Sequence, residues 1–295
     1  MNARLPLPAP VVWRFAGREF DFLPAPGTAP LIMGIVNTTP DSFSDGGEFL
    51  DPDRAIEHAL QLVADGADII DLGGESTRPG AEPVPEAEEL RRVLPVVEKL
   101  RGRTTSLISI DTCKAEVARQ AVAAGADIIN DVTALAADPA MIDVAAACDA
   151  GIIIMHMRGT PKTMQQDTHY DDVVAEVRSY LAERLDAIAS RGVARQRIAV
   201  DPGIGFAKTA RHNRQLIRKL HEIGSLRRPI CLGPSRKAFI GQLLNRPIDQ
   251  RLFGTIGAAI AGYLLGANIL RIHDVAAVGD AIRVLRAIEI DDDAP

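Results

Sequence analysis

Cysteine is scarce in this chain: Cys113, Cys148 and Cys231 are odd in number, far apart and without a C-x-x-C pair. That usage argues against a disulfide or zinc framework and suits a reducing compartment, so a cytoplasmic protein is expected. There is no basic stripe either, since 33 Lys and Arg against 39 Asp and Glu leave a net charge of −6 with both signs spread along the sequence. A phosphate backbone would need a concentrated positive face, and no nucleic-acid partner is expected. No apolar run reaches membrane-spanning length, and residues 1–30 hold six prolines and no continuous apolar stretch, which excludes a signal peptide. We therefore expect a soluble chain with no membrane segment. No His/Glu spacing resembles a zinc site. The acidic segment around Asp41, Asp45 and Gly46 is not a calcium loop, because Pro52 stands where a bidentate Glu is required. Asp201-Pro202-Gly203-Ile204-Gly205-Phe206-Ala207-Lys208 fails the dinucleotide fingerprint, with Lys208 in place of the third glycine, and fails the P-loop spacing as well.

What the chain does have is eight short apolar runs, each ending at a polar or reactive residue and most separated by room for a helix. They are Leu31 to Val36 before Asn37, Asp68 to Leu72 before Glu75, Leu107 to Ile110 before Asp111, and Asp127 to Ile129 before Asn130. The second half adds Ile152 to Met155 before His156, Ile198 to Val200 before Asp201, Ile230 to Leu232 before Gly233 and Ser235, and Ile269 to Ile272 around Arg271 and His273. This alternation predicts an α/β fold, a single (β/α)8 TIM barrel, in which every strand's C-terminal end reaches one face. Residues 37 to 273 then converge on one pocket. At 295 residues with 47% hydrophobic content the chain can fill such a core. We divide it into an extension over 1–30, a barrel over 31–290 and an acidic tail over 291–295.

In the extension, alternating Val11, Trp13, Phe15 and then Phe20, Phe22, separated by Ala16 to Glu19, predict a β-hairpin that closes the bottom of the barrel. The phrase Gly66-Ala67-Asp68-Ile69-Ile70 recurs as Gly125-Ala126-Asp127-Ile128-Ile129 and as Gly266-Ala267-Asn268-Ile269-Leu270, a repeated helix stop and strand start. Helices are expected after Asp51-Pro52, over 86–101 with a kink or break at Pro95, from Asp138-Pro139, over 171–190 as the longest, and over 211–222, 251–265 and 274–288. In the very apolar 251–265 segment, Gly257, Ala258, Ala259, Ala261 and Gly262 permit close packing, either on the barrel itself or on a second subunit.

Two long loops, Asn37 to Gly47 and Gly73 to Gly80, are rich in Gly, Pro and small hydroxyls, as suits mobile segments that close over a ligand; each also sets one aromatic or Arg among small residues. Asp201 followed by its glycine turn is a carboxylate beside a backbone that a flat ligand can approach, or equally a structural turn. Gly233-Pro234-Ser235-Arg236-Lys237 and Arg271-Ile272-His273-Asp274 gather hydroxyl and cationic donors after strands seven and eight, where barrels often bind phosphate. A surface salt bridge is the plainer reading of any one of these; several at adjacent strand ends favour an anion site. His156 reads as a hydrogen-bonded histidine at the mouth rather than a proton carrier.

Taken in order, Asn37 to Gly47, Gly73-Gly74-Glu75-Ser76-Thr77-Arg78-Pro79-Gly80, Asp201 to Phe206, Ser235-Arg236-Lys237 and Arg271-Ile272-His273-Asp274 closely resemble the dihydropteroate synthase family over roughly residues 31–288. The resemblance implies a barrel enzyme that joins 6-hydroxymethyl-7,8-dihydropterin diphosphate to 4-aminobenzoate by an SN1-like displacement, releasing diphosphate, in folate biosynthesis. Sulfonamides compete for the aminobenzoate place in that family. It implies Asp111, Asn130, Asp201, Phe206 and Lys237 around the pterin, and Asn37, Arg271 and His273 around the diphosphate, with Asn37 also touching Mg²⁺. Phe43, Thr77, Arg78, Pro79 and Ser235 would complete the aminobenzoate pocket. Asp41, Asp111, Lys237, Arg271 and His273 would carry the chemistry, the two aspartates by stabilising a pterin cation. A homodimer is expected on the same ground. Departures are Thr38 where many relatives carry Val, Ala207 in place of Gly, and Pro234 at a variable position. The alternatives are a pterin-dependent methyltransferase and a non-catalytic pterin-binding subunit; retention of the Ser-Thr-Arg-Pro-Gly loop with Ser235-Arg236-Lys237 disfavours the first, and presence of Asn37, Arg78, Lys237 and Arg271 the second.

Overall fold

A computed structural model describes residues 10–24, 27–38, 52–78 and 80–289. Eight parallel strands, β3 (Leu31–Asn37), β4 (Ile69–Gly73), β5 (Leu107–Asp111), β6 (Ile128–Asp131), β7 (Gly151–Met155), β8 (Ile198–Asp201), β9 (Cys231–Leu232) and β10 (Ile269–Ile272), pair in the order β8-β7-β6-β5-β4-β3-β10-β9. A parallel bridge from Val200 to Ile230 joins β8 to the start of β9 and closes the ring. The fold is the (β/α)8 barrel that the eight apolar runs predict. All eight C-terminal ends open on one mouth.

The thrice-used glycine phrase has one physical meaning in all three places. Gly66, Gly125 and Gly266 adopt left-handed φ of 100°, 113° and 113°, ending the helices Pro52–Ala64, Ala115–Ala123 and Leu252–Leu264. Each is a Schellman stop: Ala67 N bonds Leu62 O, Ala126 N bonds Ala121 O and Ala267 N bonds Gly262 O, all at 2.9 Å. The next residue then opens a strand pairing. Asp68, Asp127 and Asn268 accept the backbone N–H of Ile32, Ile108 and Ile230 at 2.8, 2.9 and 2.9 Å, fixing the register with the neighbouring strand.

Alternation along each strand sorts the core into two layers. Outward residues such as Ile70, Leu72, Ile110, Ile129, Ile154 and Leu270 pack under the helices. Inward, the bottom layer of Met33, Ile69, Leu107, Ile128, Ile153, Ala199, Cys231 and Ile269 clusters with Val11, Trp13, Phe15 and Phe22. Those four come from the expected hairpin, β1 (Val11–Phe15) and β2 (Arg18–Phe22), which plugs the barrel floor. Its turn is tighter than the sequence suggests, two residues with Ala16 and Gly17 both at positive φ, so Arg18 and Glu19 belong to the second strand. Trp13 is fully buried and its Nε1 donates to Arg197 O at 2.8 Å.

The helices differ from expectation in four places. Glu86–Arg101 runs through Pro95 as one element. The 211–222 segment divides at Lys219 into Ala210–Arg218 and Leu220–Gly224. Two helices without a clear sequence signal, Ala115–Ala123 and Ala238–Leu244, complete the ring. In Leu252–Leu264 the glycines answer to the barrel itself: a Cβ on Gly262 would come within 2.3 Å of Leu232, and one on Gly254 within 2.3 Å of Ile240. Gly257 has nothing within 4 Å, and Phe253 on the same helix is 83% exposed. Among the described residues no helix is long and apolar enough to cross a membrane.

Candidate active site at the mouth of the barrel

Continuing up the inward positions, the lumen turns from apolar to charged. Above Ile69, Leu107, Ile128 and Ile269, the same alternation brings Asp71, Ser109, Asn130 and Arg271 inward, followed by Asp111 and His273. Arg271 is the hub: its Nε donates to Asp71 Oδ2 and its Nη2 to Asp111 Oδ2, both at 2.6 Å. Asn130 Nδ2 lies 3.3 Å from the same Asp71 oxygen. Burial lifts the Asp111 carboxyl above the ordinary range, with Arg271 opposing and Asp71 adding to the rise. Burial also works against the Arg271 charge, yet Asp71 and Asp111 hold it above the ordinary arginine value. One guanidinium is thus shared between two buried carboxylates in the lumen.

The other half of the mouth is an acceptor, a donor and an aromatic face. Asp201, the last residue of β8, is buried and accepts Gly203 N at 2.6 Å; burial raises its carboxyl. Lys237 sits with Nζ 4.2 Å from the Phe206 ring centroid, and burial, with Arg271 nearby, pulls its ammonium down to about 8. Phe206 joins Val132, Met155, Met157, Met164 and Ala207 in a separate apolar cluster. The turn that carries Phe206 is cramped. A Cβ on Gly203 would meet His156 O at 2.0 Å, and Ala207 holds φ +52° without being glycine. Lys208 locks that turn: its Nζ donates to Phe206 O at 2.9 Å and His156 O at 3.3 Å and lies 3.0 Å from His156 Nδ1. His156 is thus the hydrogen-bonded histidine expected from sequence, its imidazolium pushed down to about 3 by burial and by Lys208.

Ser235 and His273 form a closed pair, with Ser235 Oγ 2.9 Å from His273 Nδ1 and accepting His273 N at 3.1 Å. Burial, then Arg236 and Arg271, pull the His273 imidazolium down to about 3, so a neutral ring faces the mouth. Arg236 is turned away into an ion pair with Asp274. Asn37 ends β3 half-buried; Thr77 is half-buried and Arg78 exposed in the loop after β4. Asp41, Phe43 and Pro79 lie outside the described residues. Sequence reasoning gave no role to Asp71 or Lys208. Asp71 carried a signal, an acid inside an apolar run, whereas Lys208 had none beyond its motif.

Chemically, the mouth offers a carboxylate and an ammonium for the polar edge of a flat ring, an aromatic face beside them, and a guanidinium with a neutral imidazole for an anion. The profile described as "Pterin binding enzyme" matches residues 33–273. A dihydropteroate synthase of Synechocystis sp. is 48% identical over 263 residues, 89% of this chain and 91% of that one. Solved structures agree. The Xanthomonas albilineans dihydropteroate synthase with 4-aminobenzoic acid superposes with TM-score 0.87 at 44% identity, covering 97% of this chain and 100% of that chain. The same organism's enzyme in complex with 7,8-dihydropteroate gives 0.83 at 42% identity, covering 96% and 100%. The chain belongs to the pterin binding enzyme family. Within it, the chain falls among the dihydropteroate synthases, transferases of folate biosynthesis.

Proposed function

We propose that the chain condenses 6-hydroxymethyl-7,8-dihydropterin diphosphate with 4-aminobenzoate to give 7,8-dihydropteroate and diphosphate. The observation that carries this reading is the presence, in one lumen, of a ring-edge pair, Asp201 and Lys237, beside an anion pair, Arg271 and His273. Asp201 accepts two hydrogen bonds from an amino-pyrimidinone edge, Lys237 donates to a carbonyl or ring nitrogen, and Asn130 and Phe206 complete the pterin seat. Diphosphate leaves the pterin methylene and the neutral arylamine attacks the cation left behind. No protein nucleophile is required. Arg271 and the neutral His273 donate to the departing anion, and Asp111 is assigned to stabilise the cation. Asp41 is assigned the same task, and Phe43 and Pro79 the aminobenzoate pocket, on motif position. Thr77 and Arg78 are assigned to the aminobenzoate from the loop after β4, Arg78 lying close enough to help lower the His273 imidazolium.

Mg²⁺ fits this lumen only as a passenger of the diphosphate. Among the described residues no three His, Cys, Asp or Glu side chains form a metal cluster, and Asn37 offers a single neutral oxygen. Bound through substrate phosphates, water and Asn37, the ion would neutralise charge on the leaving group. The exposed apolar side chains Leu243, Leu244, Ile248 and Phe253, on and beside the helices Ala238–Leu244 and Leu252–Leu264, support a homodimer through that face. Three free cysteines support a cytoplasmic setting.

The test is diphosphate release with Mg²⁺ and the dihydropterin diphosphate, with and without 4-aminobenzoate, identifying the pterin product. Aminobenzoate-dependent release with dihydropteroate formed is expected; pterin binding without turnover would point to a binding subunit. In the same assay Asp201→Ala is expected chiefly to weaken pterin binding and Arg271→Ala chiefly to lower turnover. An Asp201→Ala variant with unchanged pterin affinity would remove the ring-edge assignment.

A further inference from the structure

Lys114 belongs to none of the motifs above, yet its ammonium joins two carboxylates. It donates to Glu75 Oε2 at 2.6 Å and to Glu89 Oε2. Glu89 is fully buried on the helix Glu86–Arg101, and its other oxygen has no hydrogen-bond partner. A buried carboxylate with an unmatched oxygen is a poor stabilising device, so stability alone does not account for the arrangement. Its geometric product is a fixed Glu75. That carboxylate also accepts Val84 N at 2.9 Å, while Arg92 Nη1 holds Gly74 O at 2.9 Å. Gly74 is pressed onto the helix so closely that a Cβ would come within 2.8 Å of Glu89 and Val93.

Beyond Glu75 the chain leaves the helix. Among the described residues its next backbone tether outside the loop is Gly80 N to Pro161 O at 3.1 Å, backed by the Lys162–Glu82 pair, which is exposed and therefore weak. Ser76, Thr77 and Arg78 are thus slung between a firm anchor at Glu75 and a loose one near Gly80. Lys114 follows Asp111 by three residues, so the firm anchor is tied to the same strand end that meets Arg271.

We infer that Lys114 is a positioning residue for the arylamine substrate, fixing Glu75 and through it the approach of Thr77 and Arg78 to the mouth. The inference rests on the reading above that Thr77 and Arg78 meet 4-aminobenzoate. Glu75→Gln and Lys114→Met in the full chain test it, with both substrates varied and pterin diphosphate binding measured separately by calorimetry. Both variants are expected to raise KM for 4-aminobenzoate about tenfold or more, with pterin affinity within about twofold, and Lys114→Arg to recover part of the loss. Should Lys114→Met not fold, Glu75→Gln, which keeps an acceptor for Val84 N, carries the test. Arg78→Ala separates the two layers of argument. If it raises the aminobenzoate KM while Glu75→Gln leaves it unchanged, the role of Lys114 is refuted alone; if Arg78→Ala leaves it unchanged, the underlying reading falls too. Equal losses for both substrates in Glu75→Gln would mark a purely structural role and also overturn the inference.

Discussion

Lys208 illustrates what a single buried residue does and how little its sequence context announces it. Its ammonium has three N–H groups and three acceptors, two backbone carbonyls and a neutral imidazole, but among the described residues no carboxylate in hydrogen-bond contact. Burial pulls it down to about 7 from 10.5, with Asp201 opposing and Lys237 and Arg158 assisting. The unfolded chain keeps its proton up to the ordinary value, so between those two pH values the unfolded state binds more protons than the folded one. Stability from this group therefore rises with pH across that window and is lost as pH falls through the folded value. Lys237 adds a slope of the same sign, so the measurement is a difference. Relative to Lys208→Met, the native protein should gain stability in urea between pH 7 and 9, by at most about 1.4 kcal/mol per pH unit. A difference that stays flat over that range would show that Lys208 keeps its proton.

At the scale of elements, the glycine phrase and the hairpin were the most legible parts of the sequence, because each encodes its geometry locally. The phrase places a glycine where φ must be positive and a side-chain acceptor where a neighbouring strand needs one. Less legible were the short helices Ala115–Ala123 and Ala238–Leu244. Neither begins with a side-chain cap; the first takes its cap from a distant residue, Asp138, whose Oδ2 accepts Ala115 N at 2.8 Å. Pro95 was misleading for the opposite reason. A proline lowers helix propensity, but Val93, Val96, Val97 and Leu100 are fully buried around it, and their packing carries the helix through. The hairpin is the element whose removal should be felt most, since Trp13 fills the barrel floor. Trp13→Ala is expected to cost about 3–5 kcal/mol in urea unfolding. A loss within about 1 kcal/mol would mean that the floor is held by the strands alone.

For the whole molecule, the apolar helix Leu252–Leu264 has two sides with different destinations. Gly254 and Gly262 are spent on contact with its own barrel, while Phe253 stands almost fully in solvent, and Leu243, Leu244 and Ile248 of the preceding segment are exposed as well. Burying that face against a second copy is the proposed remedy, and Phe253→Glu should break it. Sedimentation is expected to give twice the chain mass for the native protein and a single chain mass for the variant, which should still melt cooperatively. A native protein that sediments as one chain at all concentrations would rule the homodimer out.

The sequence by itself determined the strand count, the single mouth, the hairpin and the polar residue at each strand end, because strand periodicity and glycine stops are local properties of the chain. It also supplied motifs specific enough to identify the family. Only the tertiary structure decided which polar residues meet. Arg271 reaches Asp71 and Asp111 across 200 and 160 residues of sequence, and Lys114 reaches Glu75 and Glu89, because ring closure brings distant strand ends together. Charges also acquire their chemistry only there: the neutrality of His273 and the lowered ammonium of Lys208 follow from burial beside other cations, which no spacing along the chain records.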